Sequence, residues 1–175
     1  IFSGGPSSVL DDPSPRAPKE AFDLGVPILA ICYGQQTMSV QLGGVVEGGH
    51  AREFGRADVE IKKPSPLFEG LWEVGGRYPV WMSHGDEVSD LPPGFRILGS
   101  TPDCRASAVG DDTRRRYGLQ FHAEVTHTPE GGAMLRNFLQ ICGCSFDWKM
   151  ADHIETLCAR LRQECGQRKA FLLVS

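Results

Sequence analysis

The octapeptide LAICYGQQ, residues 29 to 36, hands an apolar run to a cysteine set among small residues, with two amides immediately behind it. Residues 26 to 31 are almost uninterruptedly apolar, the pattern of a short strand covered on both faces. From Gly34 onward, Met38 and Leu42 stand four apart as on one face of a helix, and Gly43-Gly44 ends it. A strand that turns abruptly into a helix places Cys32 at the helix N-terminus, where unpaired N–H groups and the positive end of the dipole favour negative charge. Such a turn is crowded, and Ala30 and Gly34, two residues to either side of Cys32, supply the small neighbours it needs. The alternative reading is an inert buried thiol, the commoner fate of a free cysteine.

Outward from that turn, further strands are expected around Val45 and at 57 to 61, 80 to 82, 95 to 100, 106 to 109 and 117 to 121, separated by Pro and Gly signals such as LPPG. Met134, Phe138 and Ile141 share a helical face in residues 130 to 141, with Gly143 behind. A second amphipathic helix is expected from Asp147 as N-cap, with Met150, Ile154, Leu157, Leu161 and Cys165 on one stripe before Gly166. Residues 7 to 20, rich in Ser, Pro and Asp, read as a surface loop. Strands interspersed with helices predict an α/β fold.

The 175 residues, 41% hydrophobic, suffice for one domain with a real core. A net charge of -4 gives no global case for nucleic acid, and no apolar run is long enough to span a bilayer, so neither nucleic acid nor membrane is an expected partner. The six cysteines form no regular framework and no C-x-x-C pair, and the start does not resemble a signal peptide; they read as reduced thiols of a cytoplasmic protein. The apolar segments at the two ends look like cuts through strands, which predicts a longer polypeptide.

A nucleophilic thiolate needs a base within hydrogen-bond reach and a third group to orient that base. QFHAEVTHT, residues 120 to 128, offers both: His122 and Glu124 stand two apart at a strand end, so alternation points them to one side. The bland reading is a strand-end histidine beside a surface carboxylate. H-A-E also opens the zinc deaminase signature, but Cys142-Gly143-Cys144 lacks the P-C-x-x-C that completes that metal site. His122, Glu124 and His127 as an iron site fails on the odd spacing of His127. Arg114-Arg115-Arg116 reads as a solvated turn, Arg52 and Glu53 either as a surface ion pair or as part of a loop that communicates with a neighbouring domain, and Trp72, Trp81 and Trp148 as packing residues.

Taken together, SGGP at 3 to 6, AICYGQQ at 30 to 36, WMSHGD at 81 to 86 and QFHAEVTHT resemble the class I, triad-type glutamine amidotransferases. HAREFGRA at 50 to 57, MSHGDEV at 82 to 88 and EVTHT at 124 to 128 narrow the resemblance to the amidotransferase domains of glutamine-hydrolysing GMP synthases. The resemblance implies a mostly parallel sheet with flanking helices, flavodoxin-like and truncated at its N-terminal edge. Residues 1 to 146 would be the amidotransferase domain. Residues 147 to 175 would be a linking helix and the first strand, FLLVS, of an ATP-pyrophosphatase domain.

By position, the resemblance makes Cys32 the nucleophile, His122 the base and Glu124 its orienting carboxylate. The N–H groups of Gly5 and Tyr33 would form the oxyanion hole. Gln36 would help hold the substrate, and Ser83, His84, Gly85 and Asp86 would grip the amino-acid end of L-glutamine. The family usually has proline between its His and Glu; Ala123 stands here, which loosens one backbone angle. The ammonia released would aminate XMP in the neighbouring domain, which implies ATP and Mg2+ there and no cofactor or metal here. A homodimer would form through regions outside this sequence. Two other functions remain open at this stage: the glutaminase of a different ammonia-using synthetase, and a catalytically silent docking module.

Overall fold

The computed structural model describes residues 1 to 169 and 171, with side chains except at 49 to 51. Two compact units result, Ile1–Gly143 and Cys144–Ser175. The first holds strands β1 (Ile28–Ile31), β2 (Val45–Ile61), β3 (Arg77–Asp90), β4 (Arg96–Ser100), β5 (Ala108–Asp111) and β6 (Arg116–Leu119), and helices α1 (Tyr33–Gln41) and α2 (Gly131–Ile141). The second holds helix α3 (Met150–Cys165).

One sheet runs in the order β1-β6-β5-β4-β2-β3. It is α/β and mixed rather than mostly parallel. β1 pairs parallel with β6, and Phe2 bridges parallel to Ala30 on the other edge of β1, whereas the remaining pairings are antiparallel. The turns at 101 to 107 and 112 to 115 are too short for the crossover that parallel neighbours require.

The unbroken apolar run of β1 is explained by its position. Ile28 and Ala30 face Met38 of α1, while Leu29 and Ile31 join a core with Met134 and Phe138 of α2, so both faces are covered. Each such buried aliphatic side chain stabilises the fold by roughly 1.5–3 kcal/mol relative to exposure. Helix α1 is largely buried although four of its buried residues, Gln35, Gln36, Thr37 and Ser39, are polar. Its three side-chain amides bond to main chain, Gln35 Nε2 to the Ala106 carbonyl at 2.7 Å, Gln36 Nε2 to the Asp86 carbonyl at 2.8 Å and Gln41 Nε2 to the Ala17 carbonyl at 2.8 Å.

β2 and β3 are much longer than expected and form a twisted ribbon with register shifts between Val45 and Val46 and between Gly48 and Glu53. Pro79 is tolerated inside β3 because that strand lies at the sheet edge. Helix α3 begins two residues later than expected: Lys149 is its N-cap, and Asp147 instead accepts a hydrogen bond from Ser145 at 2.6 Å. Met150, Ile154, Leu157 and Leu161 on this helix are exposed. Of the strand expected at 171 to 175, residues 172 to 175 lie outside the described residues. Among the described residues no helix is long and apolar enough to cross a membrane.

Arg115 and Arg116 brace the β5–β6 turn, donating to the carbonyls of Gly25 at 2.9 Å and Phe22 at 2.5 Å. Trp72 packs as expected, stacked on Tyr78 at 4.9 Å and donating to Glu130.

Candidate active site

Cys32 is the junction residue between β1 and α1 and has φ 52°, a left-handed conformation that a cysteine adopts only under constraint. The constraint is visible on both sides. Its N–H donates to the Leu119 carbonyl of β6 at 2.7 Å, and its own carbonyl receives the Gln36 N–H at 3.2 Å, which starts the helix. Gly34 follows because a Cβ there would collide with the Phe2 carbonyl. The turn thus holds the thiol at the head of α1, at the end of the parallel part of the sheet.

His122 and Glu124 sit just beyond β6, in a turn rather than on the strand, because the strand ends at Leu119. Their proximity comes from that turn and not from strand alternation. It is pinned by His122 N–H to the Trp81 carbonyl at 2.9 Å and by the Thr128 hydroxyl to the His122 carbonyl at 2.6 Å. His122 Nδ1 lies 2.6 Å from Glu124 Oε1, so Ala123 in place of proline still allows the pair to form. With Nδ1 committed to the carboxylate, Nε2 is left for the sulfur. The hydrogen bond to Cys32 is the largest influence on the imidazole. Together with the bond to Glu124 it outweighs burial and lifts His122 from an ordinary 6.5 to about 9. Gly4 packs against both groups: a Cβ there would stand 3.1 Å from His122 Cε1 and 3.6 Å from Cys32 Cβ.

A pocket of about 370 Å³ opens beside the thiol, and Gly5, Cys32, Tyr33, Gln36, Ser83, His84, Gly85 and Asp86 all line it. His122 and Glu124 lie at its side, outside the lining. The Tyr33 N–H belongs to the first turn of α1 and has no intrahelical acceptor. Cys32 Sγ is 3.5 Å from the Ser83 carbonyl oxygen. Gln36 braces the pocket wall through the Asp86 carbonyl, and Asp86 itself receives the Ser8 hydroxyl at 2.5 Å.

Gly4, Ser8 and the exposed Phe54 at the pocket mouth were not among the expected site residues. SGGP marked the loop carrying Gly4, whereas Ser8 meets Asp86 across 78 positions, beyond the reach of any local pattern.

His127, considered above as an iron ligand, instead packs its ring on Trp81 at 4.4 Å. Among the described residues the one set with metal-type donors is Glu53, His84 and Cys104, within 4.8 Å of one another. It repeats the thiol, imidazole and carboxylate composition, but Cys104 is fully buried and its thiol is pushed up to about 12 by burial, the condition of an inert sulfur. Glu53, expected on the surface with Arg52, turns inward to His84 at 3.2 Å instead.

A thiol on a strand-to-helix turn, bonded to an imidazole that a carboxylate orients, has the parts of a thiol-dependent acyl-transfer centre. The family described as glutamine amidotransferase class-I matches residues 1–142, and the chain belongs to that family. It is 53% identical over 176 residues to the glutamine-hydrolysing GMP synthase of Agrobacterium fabrum, covering 100% of this chain and 34% of that one. To the corresponding enzyme of Bradyrhizobium sp. it is 51% identical, covering 98% and 32%. The chain therefore spans about a third of the length of these relatives. Among solved structures, a candidate GMP synthase component from Thermoplasma acidophilum superposes with a TM-score of 0.66 at 33% identity, covering 80% of this chain and 65% of that one. The resemblance read from SGGP, AICYGQQ, WMSHGD and QFHAEVTHT is borne out. The chain is an amidotransferase domain homologous to the glutaminase part of GMP synthases.

Proposed function

We propose that this domain hydrolyses glutamine through a γ-glutamyl thioester on Cys32. The observation that carries the reading is the imidazole of His122, held by Glu124 at 2.6 Å and lifted to about 9 chiefly by Cys32, set beside a pocket that Cys32 lines. The sulfur attacks the side-chain carboxamide carbon, and the N–H groups of Tyr33 and Gly5 stabilise the oxyanion that forms. His122, held charged by its two partners, gives its proton to the departing ammonia. It then takes a proton from the water that attacks the thioester, which releases glutamate and returns the sulfur and the charged ring to their starting state. Glu124 fixes the ring's tautomer and stabilises its charged form. Ser83, His84, Gly85 and Asp86 hold the amino-acid end of glutamine, with Gln36 bracing them.

In the longer protein the ammonia aminates XMP to GMP, with ATP and Mg2+ acting in an ATP-pyrophosphatase domain to which residues 147 to 175 lead. The 53% identity to a GMP synthase supports this assignment over another ammonia-using synthetase. The hydrogen-bonded triad weighs against a silent docking module. Six free thiols suit a reducing, cytoplasmic setting. The test is labelling of the full-length protein with an electrophilic glutamine analogue, followed by peptide mapping. The label is expected on Cys32 and competed by glutamine; a label on other cysteines with Cys32 spared would overturn the reading.

A further inference from the structure

Behind the pocket wall lies a buried carboxyl group that the chemistry above does not use, paired with His84 of the wall. Glu53 of β2 stands directly opposite His84 of β3 in the sheet register, and their side chains are 10% and 2% exposed. His84 Nε2 is 3.2 Å from Glu53 Oε2, and His84 Nδ1 is 3.1 Å from the Asp86 carbonyl oxygen. The other Glu53 oxygen receives the Thr101 hydroxyl at 2.9 Å. Both ring nitrogens are thereby engaged, Nε2 by a carboxyl oxygen and Nδ1 by a main-chain carbonyl. A buried ring nitrogen left without its partner is costly, so the two contacts together fix the ring's orientation.

Among the surrounding groups, Glu53 is the one whose side chain meets the ring at Nε2. Cys104, reaching in from the segment between β4 and β5, has its thiol pushed up to about 12 by burial, against a smaller opposing effect of Ser107, and stays neutral. On the histidine's own strand, the Asp86 carboxylate is engaged by Ser8, and Glu87 stands opposite Glu47 of β2. Arg52, which points toward Gly85, precedes Glu53 on the opposite strand. Both nitrogens of His84 and both oxygens of Glu53 have hydrogen-bond partners, so the pair is fully engaged.

The consequence lies in the wall of the pocket. The Asp86 carbonyl that His84 holds is the same one that receives Gln36, and Ser83 of the same stretch faces the Cys32 sulfur. We propose that Glu53 is a positioning residue: by holding the buried His84 ring against the Asp86 carbonyl, it fixes the segment from Ser83 to Asp86 in the shape that receives the amino-acid end of glutamine. This inference rests on the proposed glutaminase reading.

The test uses the full-length protein with Glu53→Gln, which keeps the size and removes the charge, and with Thr101→Val, which keeps the charge and removes one hydrogen bond. The expected result for Glu53→Gln is a KM for glutamine raised about tenfold with kcat within about twofold, the size of one charged hydrogen bond lost from ground-state positioning. Thr101→Val is expected to move KM in the same direction by about two- to threefold, and it reports the effect should Glu53→Gln fail to fold. Alkylation of Cys32 by iodoacetamide should proceed at the wild-type rate in both variants, while labelling by an electrophilic glutamine analogue slows. An unchanged KM in both variants, or a loss confined to kcat, would overturn the inference. A wild-type Cys32 spared by the analogue overturns the underlying reading and this inference with it. Equal labelling of Cys32 in wild type and Glu53→Gln overturns this inference alone.

Discussion

His122 is charged because of what touches it. Burial alone would depress its pKa, yet the Cys32 hydrogen bond, and after it the Glu124 bond, raise it to about 9. Removing the sulfur removes the largest of these influences. In Cys32→Ala, His122 should therefore titrate lower, moving from about 9 toward the ordinary 6.5, as followed by the ring proton shifts in an NMR titration. An unmoved midpoint would mean that the sulfur does not reach the ring. The same linkage gives the sign for stability. A folded pKa above the unfolded one stabilises the protein fully below about pH 6.5, and that contribution is lost as pH rises through about 9. Cys32→Ala should accordingly show a shallower fall in stability across that window, measured by urea unfolding at a series of pH values.

The elements around the site were unequally legible. The junction of β1 and α1 could be read because two strong local signals meet there, an apolar run and a four-residue spacing, and because Gly34 has a steric reason to be glycine. The β2–β3 ribbon could not be read at its true length. Arg52, Arg56 and Pro79 interrupt any longer strand pattern, and only the alternations of Ala57, Val59 and Ile61 and of Val80 and Met82 survive in sequence. His84 continues that alternation, and Glu53 is in phase with Val59 and Ile61 on the facing strand, so both were inward positions occupied by polar residues. That pairing becomes visible only once the register is known, since 31 positions separate the partners. The proposed base and its carboxylate were paired for an imperfect reason: His122 and Glu124 do meet, but through a turn that α2 supports. Gly131, the first residue of α2, lies so close that a Cβ would stand within 2.8 Å of the Ala123 carbonyl carbon. Gly131→Ala should push the segment between His122 and Glu124 outward, costing about 1–3 kcal/mol of stability. It should lower kcat for glutamine more than it raises KM, because the displaced groups carry protons rather than hold substrate. Equal wild-type kinetics would show that α2 does not set the geometry of the pair.

All the proposed chemistry with glutamine falls inside the unit Ile1–Gly143, while the relatives are about three times as long as this chain. A sulfur that serves only to split the amide should then be dispensable wherever ammonia is supplied directly. In the full-length protein, Cys32→Ala should reduce glutamine-dependent GMP formation by a factor on the order of 10³ or more, as loss of a covalent nucleophile does. Formation of GMP from added ammonium salt should stay within about twofold of wild type, because no nucleotide chemistry touches the thiol. The small volume change at a residue only 6% exposed makes collapse of the domain the main competing explanation. Measuring both activities on one preparation separates the two. A structural defect transmitted through the chain would depress both reactions, and retention of glutamine-dependent synthesis would place the nucleophile elsewhere. Only the loss of one with the other intact fits a glutaminase whose product, and nothing else, is passed on.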